Sequence, residues 1–227
     1  MLNLETLHLT KEMSNRIVSE IMNVPDAYLV LEAVQKALDE ERKRRLKFYN
    51  DITEQEKIEF INGEIVTHSP ATYKHGKISG LLYTALSLHV RKNALGFVGY
   101  EKIMISLSRN DYEPDICFFN NEKSKEFADD KMFFPTPDLV IEIISPSTKL
   151  RDRGVKFKDY QAHGVNEYWI IDPSDDTLEQ YHLFGEEYQL ILKSAVGDVK
   201  SFAVDGFQIP IRAIFDDDEN LKAIQNL

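Results

Sequence analysis

Residues 139–144, Leu-Val-Ile-Glu-Ile-Ile, limit what this chain can fold into more than any other stretch. The run reads as a strand in the middle of a core, yet Glu142 stands at its centre. A carboxylate buried there costs several kcal/mol unless something compensates its charge. Alternation puts Val140, Glu142 and Ile144 on one face and Leu139, Ile141 and Ile143 on the other. A second strand-like run, Glu-Pro-Asp-Ile-Cys-Phe-Phe at 113–119, carries Asp115. Successive strands of one sheet often pair. If these two do, Asp115 and Glu142 lie side by side, where two buried carboxylates repel. A bound divalent cation relieves both costs, and hard oxygen donors suit Mg2+ or Mn2+. We therefore expect Asp115 and Glu142 as metal ligands. The alternative is a structural ion pair, with a basic side chain neutralising them.

The surrounding pattern places these runs in an α/β domain with a central mixed sheet. Two helices open the chain, one over 11–22 capped by Thr10 and one over 27–47 capped by Asp26. They form an N-terminal helical arm, residues 1–47, that docks on the main domain or on a second copy, as in a homodimer. The main domain spans 48–227. Asn62-Gly63 between two strand-like runs predicts a hairpin, and Tyr73 to Asn93 predicts an amphipathic helix with Ile78, Leu82, Leu86 and Val90 on one stripe. Strands are expected over 97–107, 113–119 and 138–145. A helix over 149–163 follows, ended by Gly164. Three short alternating runs come later, and the acidic tail around Asp216-Asp217-Asp218-Glu219 reads as solvated.

Composition narrows the class. With 43% hydrophobic and 11% aromatic residues, 227 residues can bury a real core. The net charge of −11 argues against a surface coated for nucleic acid, though a local basic groove is compatible with it. Cys117 is the only cysteine, so there is no intrachain disulfide and no cysteine-rich zinc site, and a reducing cytoplasm fits. The first twenty residues lack an apolar signal core, and no run approaches a membrane span.

Metal-dependent nucleases often place a lysine two residues after such a glutamate, and here that position is Ile144. The next helix offers a substitute. Asp152, Lys156 and Tyr160 recur at i, i+4 and i+8 on one face, and Lys156 can point back over the Glu142 strand. Spacing alone favours a surface ion pair between Asp152 and Lys156.

The stretch 112–173, with PD, ExxSPS, DxxxKxxxY and GxxEYWxxDP, resembles the Uma-type endonucleases of the PD-(D/E)XK, restriction-endonuclease-like superfamily, and the upstream NGE hairpin resembles the same family's entry. The resemblance covers residues 48–215. It implies a restriction-endonuclease-like core, a sheet flanked by helices, and metal-dependent cleavage of DNA. It maps the acidic pair to Asp115 and Glu142, and the displaced lysine to Lys156 rather than to nearby Lys158. His75 matches a family histidine and can touch a scissile phosphate; packing or surface exposure is the bland reading. Glu59, alternating with Ile58 and Phe60, is a candidate third carboxylate or an ordinary solvent-facing residue. His8, His68, His89, His163 and His182 show no ligand-like pairing. Asp138 is expected at the strand's start, and Glu113 beyond the ligands. Tyr160, Tyr168, Trp169 and Cys117 are read as core.

Two rival classes remain open. One is a non-catalytic nucleic-acid-binding or assembly module that keeps the fold, with phosphate contacts from Lys149, Arg151, Arg153 and Lys158. The other is a two-carboxylate hydrolase of a different substrate, such as a glycoside, which needs no metal.

Overall fold

The computed structural model describes residues 11–53 and 57–227. The chain divides into two compact units, Met1–Thr53 and Glu54–Leu227. The first holds helices α1 (Lys11–Met22) and α2 (Ala27–Asp51). Thr10 and His8 lie outside the described residues. Asp26 stands at the start of α2 but makes no side-chain cap. Its backbone is not in the extended conformation that aims a capping oxygen at the first turn. The helix outruns its expected end at 47, and a Lys47–Asp51 ion pair of 2.6 Å spans the extra turn.

The second unit begins with the hairpin of β1 (Ile58–Ile61) and β2 (Glu64–Thr67). Asn62 and Gly63 both take positive φ, 51° and 85°, as a two-residue turn with right-handed strand twist requires. Helix α3 (Tyr73–Lys92) is started by Thr72, whose Oγ1 accepts the His75 N–H at 3.3 Å. This cap was not read from the sequence. Strand β3 (Gly96–Tyr100) and β4 (Met104–Ser106) replace the single expected strand over 97–107. Glu101, at φ 53°, breaks the run, and the two pieces enter different sheets. The strand expected over 113–119 starts late, at Ile116. Strand β5 (Asp111–Tyr112) ends early, and Asp115 precedes β6 (Ile116–Asn120).

After α4 (Asn121–Ser124) and β7 (Phe133–Phe134) comes β8 (Leu139–Ile143), the strand of Glu142. The expected helix over 149–163 is three pieces: α5 (Lys149–Arg151), a π-helical turn over Asp152–Lys156, and α6 (Phe157–Ala162). Gly164 follows with φ 74°. Strands β9 (Glu167–Asp172), β10 (Thr177–Phe184) and β11 (Glu187–Ser194) continue the chain. A small pair, β12 (Asp198–Lys200) with β13 (Gln208–Pro210), precedes α7 (Asp217–Asn226).

Six strands form the main sheet in the order β11-β10-β9-β8-β6-β3. Pairing is antiparallel except between β8 and β9, so the sheet is mixed. A second sheet runs β2-β1-β5-β4-β7. Leu139, Ile141 and Ile143 pack with Leu82, Leu86 and Trp169 on one side of β8. Val140 and Ile144 pack with Tyr160, Tyr168 and Ile170 on the other. Each such aliphatic side chain stabilises the fold by about 2 kcal/mol, so Ile144 is spent on the core. Cys117 is buried there too, and burial pushes its thiol up.

The tail is not simply solvated. Asp216 accepts the Asp218 and Glu219 N–H groups, the acidic residues occupy the first turn of α7, and Asn220 and Ala223 are buried. Among the described residues, no helix is long and apolar enough to cross a membrane.

Candidate active site

The β6–β8 register pairs Ile116 with Ile141 and Cys117 with Val140. One step further along the same ladder puts Asp115 beside Glu142. The Ile143 N–H donates to Asp115 Oδ2 at 2.8 Å, which fixes the aspartate against the neighbouring strand. Both acids are buried.

Lys156 completes the arrangement from the helix side. Its ammonium lies 2.8 Å from Glu59 Oε1, 3.0 Å from Glu142 Oε1 and 3.5 Å from Asp152 Oδ1. The side chain is 3% exposed, so the surface ion pair with Asp152 that spacing allowed is not what forms. Asp152 and Lys156 open and close the π turn, a wider turn than α, and both are buried. The Tyr160 hydroxyl, one turn on, also donates to Glu142 Oε1 at 3.0 Å. The Tyr112 ring lies below the ammonium at 5.5 Å.

Glu59 is fully buried rather than solvent-facing. Besides Lys156, it accepts from the Glu113 N–H at 3.0 Å and lies 2.8 Å from His68 Nε2. His75, delivered by the first turn of α3, puts Nε2 3.3 Å from Asp115 Oδ1. The same oxygen meets Lys57 Nζ at 2.9 Å. Glu113 accepts the Ile58 N–H, one layer out. Asp138 lies elsewhere, bound to the Asn120 N–H and Lys123.

The electrostatics are uneven. Glu59, Asp115, Glu142 and Asp152 are four buried acids, and the ammonium groups among them are Lys57 and Lys156. Burial opposes the charge on Glu59, but Lys156 and His68 outweigh it and hold the group at about 2. Burial likewise opposes Asp115, but His75 and Lys57 hold it well below the usual carboxylate range. On Glu142, burial wins over Lys156, and repulsion from Asp152, Asp115 and Glu59 adds to it; the group is pushed up to about 8. Asp152 rises for the same reason. The opposite shifts of Glu59 and Glu142 beside one ammonium reflect their other donors: Glu59 has an imidazole and a backbone N–H, while Glu142 has only a tyrosine hydroxyl. Lys156 itself is raised well above its ordinary value, because the three carboxylates outweigh its desolvation.

The donor set fits a hard divalent ion. It is rich in carboxylate oxygen and short of positive charge, and the buried Asp152 Oδ1 makes no hydrogen bond. Among the described residues, no three acidic, imidazole or thiol groups already form a metal cage. A site on Asp115 and Glu142 would leave its other positions to water or substrate, as Mg2+ prefers.

Lys57 and His68 were not read from the sequence as parts of this cluster. The hairpin turn contains the signal. Counting back from Asn62-Gly63 sets Lys57 opposite His68, and alternation puts Lys57 on the face of Glu59. Of the four basic residues proposed for phosphate contact, Arg153 is bidentate on Glu179, Lys149 lies 3.5 Å from Asp172, and Arg151 donates to the Ser147 carbonyl. His163, read as structural, ties Asp159 to Ser108, and Asp159 in turn accepts the Tyr112 hydroxyl at 2.8 Å.

Comparison with known proteins agrees with this architecture. An uncharacterized protein of Synechocystis is 26% identical over 165 residues, covering 71% of this chain and 85% of that one. A second uncharacterized Synechocystis protein is 29% identical over 146 residues, with coverage of 63% and 81%. The crystal structure of a "putative nuclease belonging to DUF820" from Anabaena variabilis matches with a TM-score of 0.63 at 21% identity, over 75% of this chain and 96% of that chain. That likeness speaks for the fold. A family profile described as "Putative restriction endonuclease" matches residues 24–212, reaching back into α2 and so beyond the motifs that begin near residue 48. On that span, the chain belongs to the Uma2 family.

Proposed function

We propose that this chain is a metal-dependent endonuclease that hydrolyses DNA phosphodiester bonds, with Mg2+ or Mn2+ held by Asp115 and Glu142. One observation carries the reading: a buried lysine, Lys156, meets the strand glutamate from the following helix, inside a cluster with more carboxylates than ammonium groups. A divalent ion there would lower the pKa of a coordinated water and offset charge on the phosphate. Lys156, held by three carboxylates, stays protonated and presents a fixed positive charge where negative charge develops. Glu59 positions that ammonium and is itself oriented by His68. His75 stands on Asp115 at the site's edge, where an N–H can reach a phosphate oxygen. Tyr160 fixes the rotamer of Glu142.

The family's description as a restriction endonuclease supports DNA as the substrate, and the carboxylate-rich site supports phosphodiester hydrolysis. The test is cleavage of supercoiled plasmid with Mg2+ or Mn2+. Wild type should nick it, chelation should stop it, and the near-isosteric Asp115→Asn and Glu142→Gln proteins should be inactive. Cutting by both variants at the wild-type rate would overturn the reading. A folded wild type that binds DNA and never cuts it would be a non-catalytic module instead.

A further inference from the structure

The two ammonium groups of the site are held very differently. Lys156 is enclosed by three carboxylates and 3% exposed; it has nowhere to go. Lys57 is 26% exposed and has one close acidic partner, Asp115 Oδ1, at 2.9 Å. It stands one residue before β1, at the start of the entry hairpin, and is only partly covered. Its charge also feels attraction from Glu142 and repulsion from Lys156, so it belongs electrostatically to the metal-binding pair.

Asp115 makes the point sharper. Its Oδ2 is committed to the Ile143 N–H, and its Oδ1 is shared by Lys57 and His75. An ion bound to this carboxylate meets the Lys57 ammonium at close range, and departure of that partner relieves the repulsion. His75 is rooted in a capped helix, whereas Lys57 has a flexible four-carbon stem and open solvent beside it. A cation and an ammonium cannot both neutralise the same oxygen at close range.

We propose that Lys57 is a displaceable cation: it neutralises Asp115 while the metal position is empty, is expelled from Asp115 by the incoming divalent ion, and then serves as a ligand for the substrate's phosphate backbone. The inference rests on the metal reading above. It assigns Lys57 two opposite effects. It competes with the metal, so removing it tightens metal binding. It contributes positive charge to substrate binding, so removing it loosens DNA. A merely structural lysine would not move these two affinities in opposite directions.

The experiment uses the full chain and needs no turnover. Mn2+ binding is measured by titration calorimetry, and binding of a labelled 30-base-pair duplex by anisotropy in Ca2+, for wild type, Lys57→Ala and Lys57→Arg. Melting curves check that each variant is folded. Lys57→Ala should bind Mn2+ about tenfold tighter or more and DNA several-fold weaker, with a shallower salt dependence. Lys57→Arg should restore both toward wild type. Equal or weaker Mn2+ binding by a folded Lys57→Ala protein overturns the proposal, as does tighter Mn2+ binding with unchanged DNA affinity. If Lys57→Ala does not fold, Lys57→Arg and Lys57→Gln decide, the latter tightening Mn2+ as Ala would. No Mn2+ heat from wild type or any variant refutes the metal reading itself, an outcome distinct from a wild-type constant that Lys57 fails to alter.

Discussion

Two glutamates stand on adjacent strands of one sheet, both buried, and they live by different rules. Glu167 on β9 accepts from Trp169 Nε1, Gln180 Nε2 and the Ser201 hydroxyl, each at 2.6 Å, and from the Phe202 and Ala203 N–H groups at 2.9 Å. All five donors are neutral. They pin the 201–203 loop to the sheet and leave the carboxylate nothing further to bind. Glu142 on β8 shares one ammonium with two other acids and is short of positive charge. A buried acid saturated by neutral donors is architecture. A buried acid left short of cations is a place where a cation can be bound. The EYW motif of Glu167 and the IEI motif of Glu142 look alike on paper; their donors separate them.

The largest test of this contrast is Lys156→Ala. It strands Glu59, Glu142 and Asp152 without their common ammonium. Unfolding in urea should show a loss of about 3–5 kcal/mol without metal, partly recovered on adding Mn2+. A lysine that is not a metal ligand would be expected to be dispensable for folding, and its burial among three carboxylates reverses that. In conditions where the variant is folded, cleavage should fall about a hundredfold or more, while Lys158→Ala should match wild type in both measurements. Next is Glu167→Ala, which removes the acceptor from five donors and should cost about 3 kcal/mol. Its melting temperature should still rise with Mn2+ as wild type's does; an absent shift would mean the two acids are not separable.

A third measurement is the metal shift itself. At a hundred times its dissociation constant, Mn2+ should stabilise wild type by about 2.7 kcal/mol, and Asp115→Asn and Glu142→Gln by nothing detectable. The smallest effect concerns pH. Glu142 keeps its proton in the folded state up to about 8, whereas in the unfolded chain it loses it near 4.5. Across that window the folded state holds more protons, so stability of the metal-free protein should fall as pH rises. Glu59, held at about 2, acts oppositely and only below 4.5, where its contribution is lost as pH falls. Thermal melts from pH 5 to 8 should slope downward for wild type and less steeply for Glu142→Gln, in which Asp152 remains. Glu167→Gln should keep the slope, and a flat wild-type profile would refute the charge shortage.

The legible parts were those written in local pattern. Asn62-Gly63 announced its hairpin because positive φ at both positions favours those residues. The pairing of Asp115 with Glu142 followed from strand order and alternation. The break at Glu101 was not legible, because a positive φ there has no glycine to mark it. Neither was the burial of Lys156 and Asp152, since 3.6-residue periodicity puts them on the right face without saying whether that face meets the sheet or water. The acidic residues of the tail are largely exposed, as read, but the helix they start was missed, because such residues look like a polar loop until Asp216 is recognised as their cap.

The π turn over Asp152–Lys156 amounts to one residue more than a regular helix needs. Its consequence is a tolerance in length. Removing a single residue within it would let the segment rewind as ordinary helix with its two flanks in nearly the same phase, because a π turn closes with one residue more than an α turn. Lys156 or its replacement and Tyr160 could then keep their aim at Glu142. The same deletion in a regular helix would turn everything beyond it by about 100°. The segment should therefore tolerate the loss of one residue among Arg153, Gly154 and Val155 far better than α3 tolerates a one-residue deletion at its middle.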